Sequence, residues 1–195
     1  MSATTITSTS TISPMRSFRR RYTVAQGTAY QVWGMTSGSA LLALATQLKT
    51  GAGATALMIV GFVTVYLNCH ALAHYVAGRA VGLRFRGYGV RGTDHPEVYP
   101  TGIRQLMQAA PFYVALSTKE SREQASGRAK AIYYAAGETS TAICSIAYAA
   151  IATAANIPGG QLLLVAMIVF NVISAVVTSR NPTGDYSKAL RALRS

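Results

Sequence analysis

The sequence predicts an all-α membrane protein of about four transmembrane helices, with a cytoplasmic connector carrying a short β-hairpin and an amphipathic helix. Three observations predict it. Half of the 195 residues are apolar and 12% are charged, where a soluble domain carries about 25%. The apolar residues gather into four long segments separated by polar ones. The charge is lopsided, with 18 Lys and Arg against 6 Asp and Glu for a net +12, and the cations fall between alternate pairs of segments. This composition excludes a disordered chain, an acidic solvating protein and an ordinary cytosolic enzyme. A nucleic-acid partner is not expected, because its basic face would need polar surface that the apolar runs leave little room for.

The elements follow in order. Residues 1–15 are almost all Ser, Thr, Ile and Ala with no charge and no period, and the basic stretch 1–29 is read as a disordered N-terminal tail. Arg16, Arg19, Arg20 and Arg21 followed by an apolar run have the layout of a signal peptide. That run is long and leads into a second apolar segment, so it is read as a first span, about 30–48. The second span, about 52–80, is interrupted only by Asn68, His70 and His74; at about 1.5 Å per residue it exceeds the ~30 Å of bilayer hydrocarbon. Leu83 to Val90 alternates apolar residues with polar ones or Gly, as a short strand or hairpin does. Tyr99 to Leu116 holds an apolar patch of helical character too short to span. Ser117-x-x-Glu120 has the spacing of a capping box, starting a helix that climbs through Lys119, Arg122, Arg128 and Lys130 into a third span, about 131–155. Asn156-Ile157-Pro158-Gly159-Gly160 reads as a tight turn, and a fourth span covers about 161–178. Together 30–179 form the transmembrane domain, and 180–195 a basic C-terminal tail. Cys69 and Cys144 both lie in apolar stretches and imply no disulfide framework.

Charge orients the bundle. The loops after the first and third spans hold one Lys between them, so all but one of the 18 cations fall on the other side. Cytoplasmic segments collect Lys and Arg. Both termini and the long middle region are therefore expected in the cytoplasm, where the 119–130 segment meets anionic lipid headgroups. Tyr30, Trp33, Tyr133 and Tyr134 fall at membrane boundaries and read as interfacial anchors.

His70-Ala71-Leu72-Ala73-His74 sets two imidazoles one turn apart on one helical face, which is how a helix offers two ligands to a metal. Polar groups at such depth are costly and usually functional; the alternative is two histidines that merely bridge helices. His74 lies about 8 Å inside the boundary marked by Arg79, at ~1.5 Å per residue, so a third ligand must reach that level. Asp185, directly after the fourth span, is one candidate, with the alternatives of a solvated residue or the N-cap of a final helix. Glu138, early in the third span, is another, with the alternative of an ion pair to a nearby Arg. His95, in Thr93-Asp94-His95-Pro96-Glu97, reads as a solvated turn residue.

These residues together resemble the site-2 protease family of intramembrane zinc metalloproteases, over about residues 70–185. His70 and His74 match the pair of the family's His-Glu-x-x-His helix, and Asn181, Pro182 and Asp185 match its later Asn-Pro-…-Asp-Gly segment. Gly137 matches the start of its Gly-Pro-x-x-Asn helix, with Glu138 and Thr141 standing where Pro and Asn are usual, and Gly82 to Val90 resembles the strand after its first active-site helix. The resemblance implies one zinc ion held by His70, His74 and Asp185 near the cytoplasmic face. It also implies a departure: Ala71 stands where the family has the glutamate that serves as general base, a group commonly worth ~10²–10⁴ in rate. The expectation is therefore a catalytically impaired member, a pseudoenzyme that binds a membrane-protein client. The alternatives are an active protease using Glu138 as substitute base, a structural or assembly subunit of a membrane complex, and a small metal carrier.

Overall fold

The computed structural model describes residues 18–48, 50–93 and 101–194; the Ser/Thr-rich stretch 1–15, Arg16 and the turn around His95 lie outside the described residues. The described chain is mostly helical, with one small three-stranded antiparallel sheet. β1 (Arg20–Tyr22) leads into α1 (Val24–Leu48), which pairs with α2 (Gly51–Ala80). The connector then runs through β2 (Phe85–Arg91), α3 (Ile103–Ala109), β3 (Phe112–Ser117) and α4 (Lys119–Gln124). α5 (Gly127–Ala154), α6 (Gly160–Arg180) and α7 (Asp185–Arg194) complete it.

The four long helices coincide with the four apolar segments, and the turn between α5 and α6 is where the sequence put it. Asn156 takes a left-handed conformation there (φ 55°), which an Asn tolerates, and the turn is tied back to α2 by the Thr55 hydroxyl donating to the Pro158 carbonyl at 3.0 Å. Among these helices α2 and α6 are long and apolar enough to cross a membrane. α6 buries only Gly160 and leaves Leu162, Val172 and Ile173 more than half exposed. α1 and α2 meet through the small residues Gly34 and Gly38, while Gly27 packs on Tyr88 of β2, and the core continues through Leu42, Met58, Val65, Tyr148 and Ala152.

The structure refines or corrects several expectations. The helical class stands, but where a short β-hairpin is expected the described chain carries a three-stranded sheet. Residues 20–29 are not a disordered tail: Arg20–Tyr22 form β1, which pairs with Tyr88–Val90 of β2, and α1 is already under way at Val24. The alternating segment is the short strand its pattern allows and not a hairpin in itself: β2 is the central strand, with β1 and β3 as partners from either side. Phe112–Ser117, read as part of a helical patch, is β3, whose Phe-Tyr-Val core suits a pleated sheet better than a helix.

The helix expected to climb unbroken from 117 into the third span is split. Thr118, not Ser117, caps α4, accepting from the Ser121 amide at 3.3 Å, and Ser126 caps α5 afresh, accepting from the Ala129 amide at 3.2 Å. A short extended link at Ala125–Ser126 separates them.

Candidate metal centre

The site forms where α2, α5 and α7 meet. His70 and His74 project from one face of α2 toward α5, and Gly137 of α5 lies directly opposite them. A Cβ on residue 137 would stand 2.2 Å from His74 Nε2 and 2.7 Å from His70 Nε2, so the absence of a side chain there makes the room into which both rings turn.

Asp185 arrives from α7 by a tight turn. α6 ends at Arg180; the Asn181 side-chain oxygen accepts from the Thr183 amide at 3.0 Å and its hydroxyl at 2.8 Å, the local closure Asn-Pro turns favour. Gly184 follows so close to α6 that a Cβ would meet the Thr178 carbonyl at 2.1 Å. Asp185 is then the first residue of α7, where the helix dipole favours a carboxylate. α7 is held on α5 by Ala189 and Ala192 against Ala131 and by a 3.1 Å hydrogen bond between the Tyr186 and Thr139 hydroxyls.

Three acceptor atoms converge. His74 Nε2 is 3.2 Å from His70 Nε2 and 3.2 Å from Asp185 Oδ2, and His70 Nε2 is 3.5 Å from the same oxygen. Among the described residues these three are the group of His, Cys, Asp or Glu close enough to hold a metal ion. A tetrahedral ion with bonds of about 2.0–2.1 Å has ligand–ligand edges of about 3.3–3.4 Å, and the triangle matches them.

The outer hydrogen bonds fix what the inner atoms offer. His74 Nδ1 lies 2.7 Å from the Tyr133 carbonyl; a carbonyl only accepts, so Nδ1 carries the proton and Nε2 presents its lone pair. Thr141 donates its hydroxyl to the Gly137 carbonyl at 3.0 Å and so accepts from His70 Nδ1 at 3.1 Å, which leaves His70 Nε2 equally bare. Lys188 holds the other carboxylate oxygen, Oδ1, at 3.2 Å. Burial works against ionisation of Asp185. The nearby Lys188 ammonium favours the ionised carboxylate. Two lone pairs and a carboxylate at van der Waals distance repel unless a cation sits among them. This donor set fits a divalent metal, with outer partners on all three groups as ligating residues have. Three protein ligands leave a fourth position open, on the side where His70 is 36% exposed.

The other residues singled out in the sequence fall elsewhere. Glu138 is next to Gly137 on α5 but turns away, its Oε2 accepting from the Ser174 hydroxyl of α6 at 3.3 Å, and it is not part of the three-residue group. Ala71 is 1% exposed, clustered with Tyr88 of β2 and Ala115 of β3. Tyr133 is no interfacial anchor: it is buried beneath His74, ring centroids 5.2 Å apart. Tyr30 and Trp33 are exposed. Sequence reasoning missed the support given by Thr141 and Lys188 and by the Tyr133 carbonyl. The Lys188 spacing, i+3 from Asp185, was the one signal that pointed to any of them. No known protein family, curated protein or solved structure matches this chain.

Proposed function

We propose that the chain is a multi-pass membrane protein of four spans that holds one zinc ion on His70, His74 and Asp185, near the cytoplasmic boundary, and that it engages a membrane-protein client without cutting it. The observation that carries this reading is the triangle of bare acceptor atoms 3.2–3.5 Å apart. Two imidazoles and one carboxylate with an open fourth position make a donor set that suits zinc. α1 and α5, at 25 and 28 residues, have the length to join α2 and α6 across ~30 Å of hydrocarbon. The one-sided cations favour cytoplasmic termini.

A zinc ion in such a site supplies Lewis acidity and a bound water of lowered pKa. What the chain's own residues do argues against hydrolysis. A general base must reach the reacting water within hydrogen-bond distance, and neither neighbour does so. Position 71 is a methyl group packed against the sheet, and the Glu138 carboxylate is committed to Ser174. The client-binding half rests on the resemblance to the site-2 protease family.

The test is to measure zinc and proteolysis in one preparation of the full chain purified in detergent. One zinc per chain is expected, near zero for His70→Ala and Asp185→Asn, and no cleavage of a model transmembrane substrate. Zinc bound equally well by Asp185→Asn would sink the ligand set. Cleavage lost in that variant would overturn the non-cutting half, and a folded, zinc-free chain would leave the histidines as helix-bridging groups.

A further inference from the structure

An open groove of about 550 Å³ runs between the first turns of α5, the end of α6 and the length of α7, within the ~300–1,000 Å³ of small-molecule sites. On α7, Tyr186, Leu190 and Leu193 recur at i, i+4 and i+7 and share one face, while Ala189 and Ala192 pack on α5. Leu190, Leu193 and Ile132, the last from the facing wall on α5, are 46%, 61% and 45% exposed: the groove is lined with branched apolar side chains that no other part of the described chain covers.

Its one charged lining residue is Arg128. That guanidinium is exposed and has no acidic or hydrogen-bonding partner among the described residues. It sits in the first turn of α5, whose N-terminal dipole adds positive potential. Arg180, Arg191 and Arg194 follow the lining residues Ser179, Leu190 and Leu193 directly in sequence. The groove is also continuous with the outward apolar face of α6, whose Val172, Ile173 and Val176 stay exposed.

An apolar trough with an unneutralised guanidinium at its rim is complementary to an amphiphile with an apolar chain and an anionic head. Guanidinium geometry favours a phosphate, which it pairs bidentately. We propose that this groove seats one anionic phospholipid, its phosphate at Arg128 and an acyl chain along Ile132, Ala135, Leu190 and Leu193. This rests on the membrane reading above and not on the metal. α7 then lies in the interface as an amphipathic helix does, apolar stripe inward and cations among the headgroups.

The test reconstitutes the full chain in phosphatidylcholine vesicles carrying a trace of a photoactivatable phospholipid, either phosphatidylglycerol or phosphatidylcholine with the same acyl-chain diazirine. Labelled peptides are mapped by mass spectrometry. The phosphatidylglycerol probe is expected to label 128–135 and 186–193 several-fold more than the phosphatidylcholine probe. In Arg128→Gln that preference should fall about fivefold, the worth of one interfacial cation near an anionic surface. Arg128 is exposed and unpartnered, so the variant should fold; co-flotation with vesicles checks this. Equal labelling by the two probes in the unaltered chain, labelling confined to α6, or an unchanged preference in Arg128→Gln would each overturn the assignment. A chain that fails to float with vesicles would sink the membrane reading itself, and zinc content measured on the same samples reports on the metal separately.

Discussion

A single methyl group is the sharpest probe of the metal centre. Gly137→Ala puts a carbon 2.2 Å from His74 Nε2, a contact that only displacement of the ring relieves. Zinc content should fall from one per chain to near zero while helix content by circular dichroism stays the same. Thr141→Val is subtler: it keeps the shape but removes the acceptor that holds His70 Nδ1. Losing an outer partner of this kind typically costs ~10–100-fold in metal affinity, so competition titration should register a drop of that size, with Thr141→Ser restoring most of it. At this scale the sequence was informative about the three candidate ligands and silent about their supports. Two histidines four apart must share a helix face, and a carboxylate just after a span must sit near its end. The Tyr133 carbonyl and the Thr141 hydroxyl matter only because of how α5 is rotated against α2, and no local pattern encodes that rotation.

The elements were legible in proportion to how local their causes are. The long helices declare themselves by apolar length, and Asn156–Gly160 by its turn residues. β1 is three residues of an arginine-rich stretch, Arg-Arg-Tyr, and exists because Tyr88–Val90, some seventy residues on, supplies its hydrogen bonds. β3 is likewise a strand because β2 is there to pair with it. The break between α4 and α5 turns on Ser126 acting as a second cap, which competes with continuing the helix through its own side chain. The turn that presents Asp185 depends on Gly184, which approaches the Thr178 carbonyl more closely than any side chain allows. Gly184→Ala should push α7 off its seat and weaken zinc at least ~10-fold, the low end of what disturbed outer support costs, measured by the same competition titration.

For the molecule as a whole, the charge asymmetry makes a topological prediction. In a cysteine-free background, Glu123→Cys and Arg194→Cys should react with a membrane-impermeant maleimide from the cytoplasmic side, and Thr50→Cys and Pro158→Cys from the opposite one. Labelling of all four from one side would rule out four spans with cytoplasmic termini. Sequence could give the number of apolar segments and their polarity. It could not give the corner where α2, α5 and α7 meet, because that depends on all three helices at once.

The ligands of that corner do not share one support. His70 and His74 belong to a thirty-residue helix packed along its length, while Asp185 rides on a ten-residue one joined by a four-residue turn. The centre is thus a fixed pair of prongs and a hinged thumb. An incoming ion can touch the prongs first and be gripped only when the thumb comes down, so its escape rate follows how often α7 lifts. Tyr186→Phe, which keeps all three ligands but removes the hydroxyl that ties α7 to Thr139 of α5, should leave zinc bound and speed its release to a chelator.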